Sequence, residues 1–271
     1  MTADSGIELV AIDLDGTLLN PDLRITPRTR DAVRATVEAG VTVAIATGRM
    51  HASAEPFAAE LGVEAPIISC NGAMIREASA EQPIFHLMVP PDLAAEVLER
   101  AVAERATVEY FCDDTFYVSH VDHWARWYWQ RTGCTPVPVG DLRRLACRRP
   151  TKILLVGRPE ENAERLPRLQ RDYAGKLYIT LSLPEYIELL HPEVSKASAL
   201  RWLAEQLGVP MDRTMALGDQ LNDVEMIEAA GVGVIMAGAE ESLRARADFV
   251  PTSQEEGVAE TLESLVLTPS P

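Results

Sequence analysis

Basic residues are scarce in this chain: 25 Lys and Arg stand against 41 Asp and Glu in 271 residues, a formal net charge of −16. A surface this acidic repels phosphate backbones and anionic lipid, so nucleic acid and membrane surfaces are excluded as expected partners. The densest basic stretch, Arg143, Arg144, Arg148, Arg149 and Lys152, is interrupted by Pro150 and reads as a solvated face. Long apolar runs are lacking too. None approaches the roughly 20 residues that span a bilayer, and Met1–Ile7 carries Asp4 and no basic segment, so a soluble, cytoplasmic protein is expected. Cysteines are few. Cys70, Cys112, Cys134 and Cys147 are far apart, with no Cys-x-x-Cys pair and no histidine at zinc spacing, which argues against structural zinc and against a disulfide framework. Internal repeats are absent, and the one biased stretch, the Pro/Ser/Thr end at 268–271, reads as frayed. The oligomeric state is not legible from any of this.

What is present is 47% hydrophobic residues and 24% charged ones, enough for one or two domains with a substantial core. Ile7–Ile12 is an apolar run broken only by Glu8, the pattern of a parallel strand buried on both faces. Thr26–Ala39 reads as a helix with Thr26 as cap, Pro27 in its first turn and Gly40 as stop, and Val41–Ala46 reads as the next buried strand. A helix over Ala52–Leu61 and a strand over Pro66–Ser69 continue the alternation. Beyond the middle it resumes: helix Lys196–Leu207, strand Thr214–Leu217, helix Asp223–Ala230, strand Val232–Met236. Both ends thus predict one parallel α/β sheet.

The middle differs in composition, holding three of the four tryptophans and most of the tyrosines. Its expected order is strand Ile84–Val89, helix Pro91–Glu104, strands Val108–Phe111 and Thr115–Val118, helix His123–Thr132, strand Lys152–Val156, helix Glu160–Tyr173, then strands Leu177–Leu183 and Tyr186–Leu190. That is an α+β insert in an α/β host. Trp124, Trp127, Tyr128 and Arg131 recur at helical spacing and read as a packed face.

Four segments carry chemistry. Asp13-Leu14-Asp15-Gly16-Thr17 ends the first strand, and residues two apart on a strand share a face, so Asp13 and Asp15 are expected to converge at the carboxyl edge of the sheet. Thr47-Gly48-Arg49 ends the second strand and brings a hydroxyl and a guanidinium suited to a phosphoryl group. Gly218-Asp219-Gln220-Leu221-Asn222-Asp223 adds two carboxylates at the same edge, and Lys196 opens a helix. Taken singly, each is also an ordinary turn or cap.

Taken in order, with an insert between the second and third, these motifs resemble those of the haloacid dehalogenase superfamily, and within it the Cof-type phosphatases of class IIB. The resemblance covers the whole host region, including Asn71-Gly72-Ala73 and Glu255-Glu256-Gly257-Val258-Ala259. It implies a Rossmann-like parallel-sheet core over 1–82 plus 188–271 and an inserted cap domain of the C2B type over 83–187. It further implies a Mg²⁺-dependent phosphatase acting on a small phosphorylated metabolite, a sugar phosphate or a phosphorylated cofactor, through an aspartyl-phosphate.

On that reading Asp13 is the nucleophile and Asp15 the general acid and base, its pKa raised by neighbouring carboxylates and partial burial. Thr47 donates a hydrogen bond to the phosphoryl group and Lys196 supplies a point charge. Asp13, Asp219 and the backbone carbonyl of Asp15 are the expected metal ligands, with Asp223 supporting them. Arg49 and Asn222 are expected to contact substrate. A phosphomutase acting on hexose phosphates would use the same two aspartates, and a phospho-accepting signalling domain also gathers Asp, Thr and Lys on a parallel sheet, though without so large an insert. Two departures stand out. Glu193 and Ala197 flank the lysine motif where glycine is usual, and Ala237-Gly238-Ala239 stands where Gly-Asn-Ala is common.

Overall fold

The structure is a computed structural model that describes residues 6–78, 80–145 and 147–268; 269–271, most of the end read as frayed, lie outside them. The chain divides into two compact units, one running to Ile84 and resuming at Ser195, the other Phe85–Val194. The boundary placed at 187 from the sequence falls inside the strand Tyr186–Leu190, which pairs on both sides within the second unit and so keeps that unit going to Val194.

In the first unit four parallel strands lie in the order Val232–Ile235, Thr214–Gly218, Leu9–Ile12, Thr42–Ile45. Leu9–Ile12 is paired on both sides and buried at every residue, as its unbroken apolar run requires. Val10, Ile12, Val43, Ile45, Leu217 and Val234 pack in one core with Val33 and Leu262. Helix ends follow local chemistry. Thr26 accepts the Thr29 amide ahead of Pro27–Glu38, and Ser195 and Ser198 form a reciprocal cap on Lys196–Leu207. Gly62 and Gly208 stop their helices at φ 74° and 69°. The helix expected over Asp223–Ala230 begins as a 3₁₀ turn, Leu221–Asp223, and becomes α-helical over Val224–Ala229.

The second unit is built on a six-stranded sheet in the order Tyr178–Leu183, Tyr186–Leu190, Lys152–Val156, Thr107–Cys112, Thr115–Val118, Val137–Pro138, antiparallel except for the last pair. One face is apolar: Val108, Tyr110, Ile153, Leu155, Ile187 and Leu189 pack with residues of the helices Pro91–Ala103 and Pro159–Asp172. Only Phe85–His86 of the strand expected over Ile84–Val89 is regular. On the helix His123–Thr132, Tyr128 is buried against Phe111 and Phe116, whereas Trp124 and Trp127 are half-buried beside a groove of about 560 Å³. Lys152, counted from the sequence with the surface arginines, is instead buried and paired with Glu188 at 3.0 Å. Its position inside a strand, on the face opposite the apolar one, explains the difference. The four cysteines are free thiols, Cys70 and Cys112 buried, Cys134 partly so and Cys147 exposed. Among the described residues no helix is long and apolar enough to cross a membrane.

The register puts Glu109, Leu154, Glu188 and Thr180 in one row across four strands. Glu188 pairs with Lys152 and accepts the Ser182 hydroxyl at 2.6 Å on Oε1, while both Glu109 carboxyl oxygens are buried without a hydrogen-bond partner among the described residues. An unsatisfied buried polar group costs about 1–3 kcal/mol, so Glu109→Leu is expected to stabilise the protein by about that amount in urea denaturation. Burial holds the Glu109 carboxyl well above its ordinary range, with Lys152 opposing. The unfolded chain therefore sheds this proton at lower pH than the native state, and stability falls as the pH rises past the ordinary glutamate range. Glu109→Gln, which cannot ionise, should lose that fall. A difference in stability between parent and Glu109→Gln that stays constant from about pH 4 to about pH 8 would contradict the assignment.

Candidate active site

Parallel pairing brings the chemical segments to one edge. Asp13 follows the strand Leu9–Ile12, Thr47 lies two residues beyond Thr42–Ile45, and Asp219 follows Thr214–Gly218. Backbone bonds fix these exits: Asp13 N–H to the Leu217 carbonyl at 3.0 Å and Ala46 N–H to that of Ile12 at 2.9 Å. Carboxylate oxygens of Asp13, Asp219 and Asp223 come within 4.8 Å of one another. Lys196, the first residue of its helix, reaches between two of them, its Nζ 2.5 Å from Asp13 Oδ1 and 2.6 Å from Asp223 Oδ1. Asp223 is a brace as well as a charge, because its Oδ2 accepts the Asp219 and Gln220 amides at 3.0 Å each. Asp219 is aimed by the Thr17 hydroxyl at 3.2 Å and the Gln220 side-chain amide at 2.9 Å. Gly16 is required here: at φ +85° it turns the chain, and a Cβ would lie 2.3 Å from Asp219 Oδ2.

Three enclosed carboxylates face one ammonium. Burial pushes the Asp13 carboxyl well above the usual range; Lys196 pulls it back, and Asp223 and Asp219 push it further. Burial, then Asp223, push Asp219 up to about 7. Burial alone would lower Lys196, but Asp13 and Asp223 outweigh it and hold the ammonium above its ordinary value. The cluster is thus short of positive charge, and hard carboxylate oxygens converging on one point suit a small divalent cation. The donor set fits such an ion.

Asp15 is not one of those three clustered carboxylates. The regular strand stops at Ile12, so strand alternation does not set the direction of Asp15 in the turn that follows. Where sequence reasoning placed carboxylates around Asp15, the structure places Arg49, whose Nε and one terminal nitrogen each lie 2.6 Å from an Asp15 oxygen. The guanidinium is nearly buried, lies over the Phe57 ring at 5.5 Å, and donates to Ser53 at 3.3 Å. Thr47 Oγ1 accepts the Arg49 amide at 3.1 Å, which leaves the hydroxyl proton free to point elsewhere.

Three side chains of this edge are not legible from the motifs. Asn71 donates its backbone amide to the Thr47 carbonyl at 2.9 Å, and its side-chain oxygen accepts from Asn222 at 2.8 Å. The Asn-Gly pair announces a turn, but a partner 151 residues away leaves no local signal. Gln254 donates to the Gly16 carbonyl at 2.6 Å and accepts from the Gly238 amide at 2.5 Å, so the departing segment Ala237-Gly238-Ala239 is tied to the first motif through another residue. Gln220 orients Asp219, as above.

The sequence profile of the haloacid dehalogenase-like hydrolases matches residues 10–262. An HMP-PP phosphatase of Serratia proteamaculans is 30% identical over 272 residues, covering 96% of this chain and 96% of that protein. A pyridoxal phosphate phosphatase of Escherichia coli is 28% identical, covering 89% and 92%. Among solved structures, a haloacid dehalogenase-like hydrolase from Bacillus subtilis superposes with a TM-score of 0.86 at 28% identity, over 96% of this chain and 100% of that one.

Proposed function

Because the chain belongs to the haloacid dehalogenase-like hydrolases and is a phosphatase of that family, we propose that it hydrolyses monoesters of small phosphorylated metabolites with Mg²⁺, through an aspartyl-phosphate on Asp13. The observation that carries the reading is the Asp13 carboxylate held at 2.5 Å by a buried lysine inside a carboxylate cluster at the sheet edge. A nucleophile so held is oriented before substrate arrives.

Asp13 attacks phosphorus, the bond from phosphorus to the ester oxygen breaks, and Asp15 gives that oxygen its proton. Asp15 then takes a proton from water, whose oxygen attacks phosphorus and breaks the bond to Asp13, releasing phosphate and restoring both carboxyl groups. Lys196 offsets the charge gathered on the phosphoryl oxygens, and Thr47 and Asn222 donate to them. Arg49, which favours the ionised Asp15 while paired with it, is proposed to turn to the substrate, so that Asp15 can then carry the proton. Asp13, Asp219 and the Asp15 backbone carbonyl would hold the Mg²⁺, with Asp223 bracing Asp219; the ion, when bound, screens the dianion from the attacking carboxylate.

All these side chains lie outside Phe85–Val194, which supports assigning that unit the choice of leaving group. A relative named for pyridoxal phosphate supports a phosphorylated cofactor as the substrate. A screen of phosphate esters, read as inorganic phosphate released, tests the reading: turnover of several esters with one phosphate freed per ester supports it. Isomerised ester without free phosphate would establish a mutase instead.

A further inference from the structure

We propose that Asn71 is a positioning residue for the reaction, acting through Asn222; this rests on the reading of Asn222 as a phosphoryl contact. Asn71 is completely buried and sits in a run of three left-handed residues, Cys70, Asn71 and Gly72, at φ 49°, 55° and 96°. Asparagine tolerates that conformation better than most residues, but glycine would suit it better still, so backbone geometry alone does not explain a side chain here. The turn is clamped from three directions. Cys70 N–H binds the Arg49 carbonyl at 2.8 Å, Asn71 N–H binds that of Thr47, and Gly72 packs so closely on the start of the Lys196 helix that a Cβ would meet the Ser195 carbonyl oxygen at 2.3 Å.

From this rigid base the Asn71 carbonyl oxygen takes one hydrogen of the Asn222 amide at 2.8 Å. That bond fixes the rotation of the Asn222 side chain and leaves its second hydrogen directed and unused. The remaining polar atoms of the pair, Asn71 Nδ2 and Asn222 Oδ1, are buried with no partner among the described residues. Exchanging oxygen and nitrogen on both side chains would still leave one donor and one acceptor unmet. A pair serving only to hold the fold would be better replaced by apolar groups. A pair that must offer N–H to an incoming anion keeps its unused amide hydrogens, on Asn222 Nδ2 and Asn71 Nδ2, until the anion arrives.

The test is a double-mutant cycle with Asn71→Gly and Asn222→Ala, read with p-nitrophenyl phosphate and Mg²⁺ and with inorganic phosphate as inhibitor. Glycine preserves the left-handed backbone, so folding should be retained; if the variant melts early, all constants are read at a temperature at which it and the parent are fully folded. Asn71→Gly is expected to raise KM and the inhibition constant of phosphate by about tenfold, with kcat changed much less. In the Asn222→Ala background the same substitution should change either constant by less than about twofold. Equal effects in both backgrounds, or no effect of Asn71→Gly in the parent, overturn the proposal. Unchanged constants for Asn222→Ala would overturn it through its premise. Loss of turnover in Asp13→Asn, measured alongside, keeps the underlying reading separate from either failure.

Discussion

Asp13→Asn is expected to lower kcat by about 10⁴-fold or more while leaving the protein as stable as its parent or more so. The two effects have different origins. Turnover is lost because the amide nitrogen and carbonyl oxygen that replace the carboxylate cannot form the acyl phosphate. Stability is kept because the change is nearly isosteric and Lys196 retains Asp223 at 2.6 Å. Relieving one of three crowded carboxylates also removes a penalty, since Asp13 is held above its ordinary range by burial and by Asp223 and Asp219 despite Lys196. The unfolded chain ionises such a group more readily than the native one, so its ionisation weighs against folding as pH rises above the usual aspartate range. If about 1 kcal/mol is relieved, Tm near neutral pH should rise by about 2–4 °C. Turnover within tenfold of the parent would reassign the nucleophile, whatever the melting temperature.

Removal of divalent metal is expected to abolish turnover, and added Mg²⁺ to restore it. Three carboxylates within 4.8 Å, balanced by one ammonium, would otherwise repel a phosphate dianion from the very group that must attack it. Binding has its own readout. An ion at about 100 times its dissociation constant stabilises the native state by about 2.7 kcal/mol, so Mg²⁺ should raise Tm in the parent. It should raise it far less in Asp219→Asn, which takes a charge from the cluster while keeping the shape that Thr17 and Gln220 hold. Full activity after exhaustive chelation would exclude the proposed mechanism, and an equal Mg²⁺ shift in parent and Asp219→Asn would remove Asp219 from the ligands.

The contrast between what was and was not legible in the sequence has a physical basis. Lys196–Leu207 was readable to the residue because Ser195 and Gly208 mark its ends by local bonding. Thr115–Val118, His123–Thr132 and Lys152–Val156 were equally plain. The strand Met74–Arg76 is only three residues long and pairs with Ile67–Ser69 across an irregular turn, and the helix Gly257–Leu262 is short, lacks a side-chain cap and is held by a partner distant in sequence, packing in one core with Ala32 and Val33. At the site, strand-end logic was enough to bring Asp13, Thr47 and Asp219 to one edge, since parallel strands deliver their carboxyl ends there, whereas Lys196 opens a helix and its place in the site came only from the family resemblance. That logic said nothing of Arg49 on Asp15 or of Asn71 on Asn222. Those contacts arise in irregular turns, where side-chain direction follows no period, and they join segments 34 and 151 residues apart.

The central claim is a covalent bond between Asp13 and phosphorus, and the direct measurement is to trap it. Protein turning over an ester with Mg²⁺ is quenched in acid, treated with borohydride, digested and read by mass spectrometry. Borohydride reduces an acyl phosphate to an alcohol, so an aspartate that carried phosphate appears as homoserine. The account predicts homoserine at position 13, dependent on substrate and on Mg²⁺, and absent from Asp13→Asn. Substrate-dependent homoserine at another carboxylate, with position 13 unmodified during rapid turnover, would contradict it.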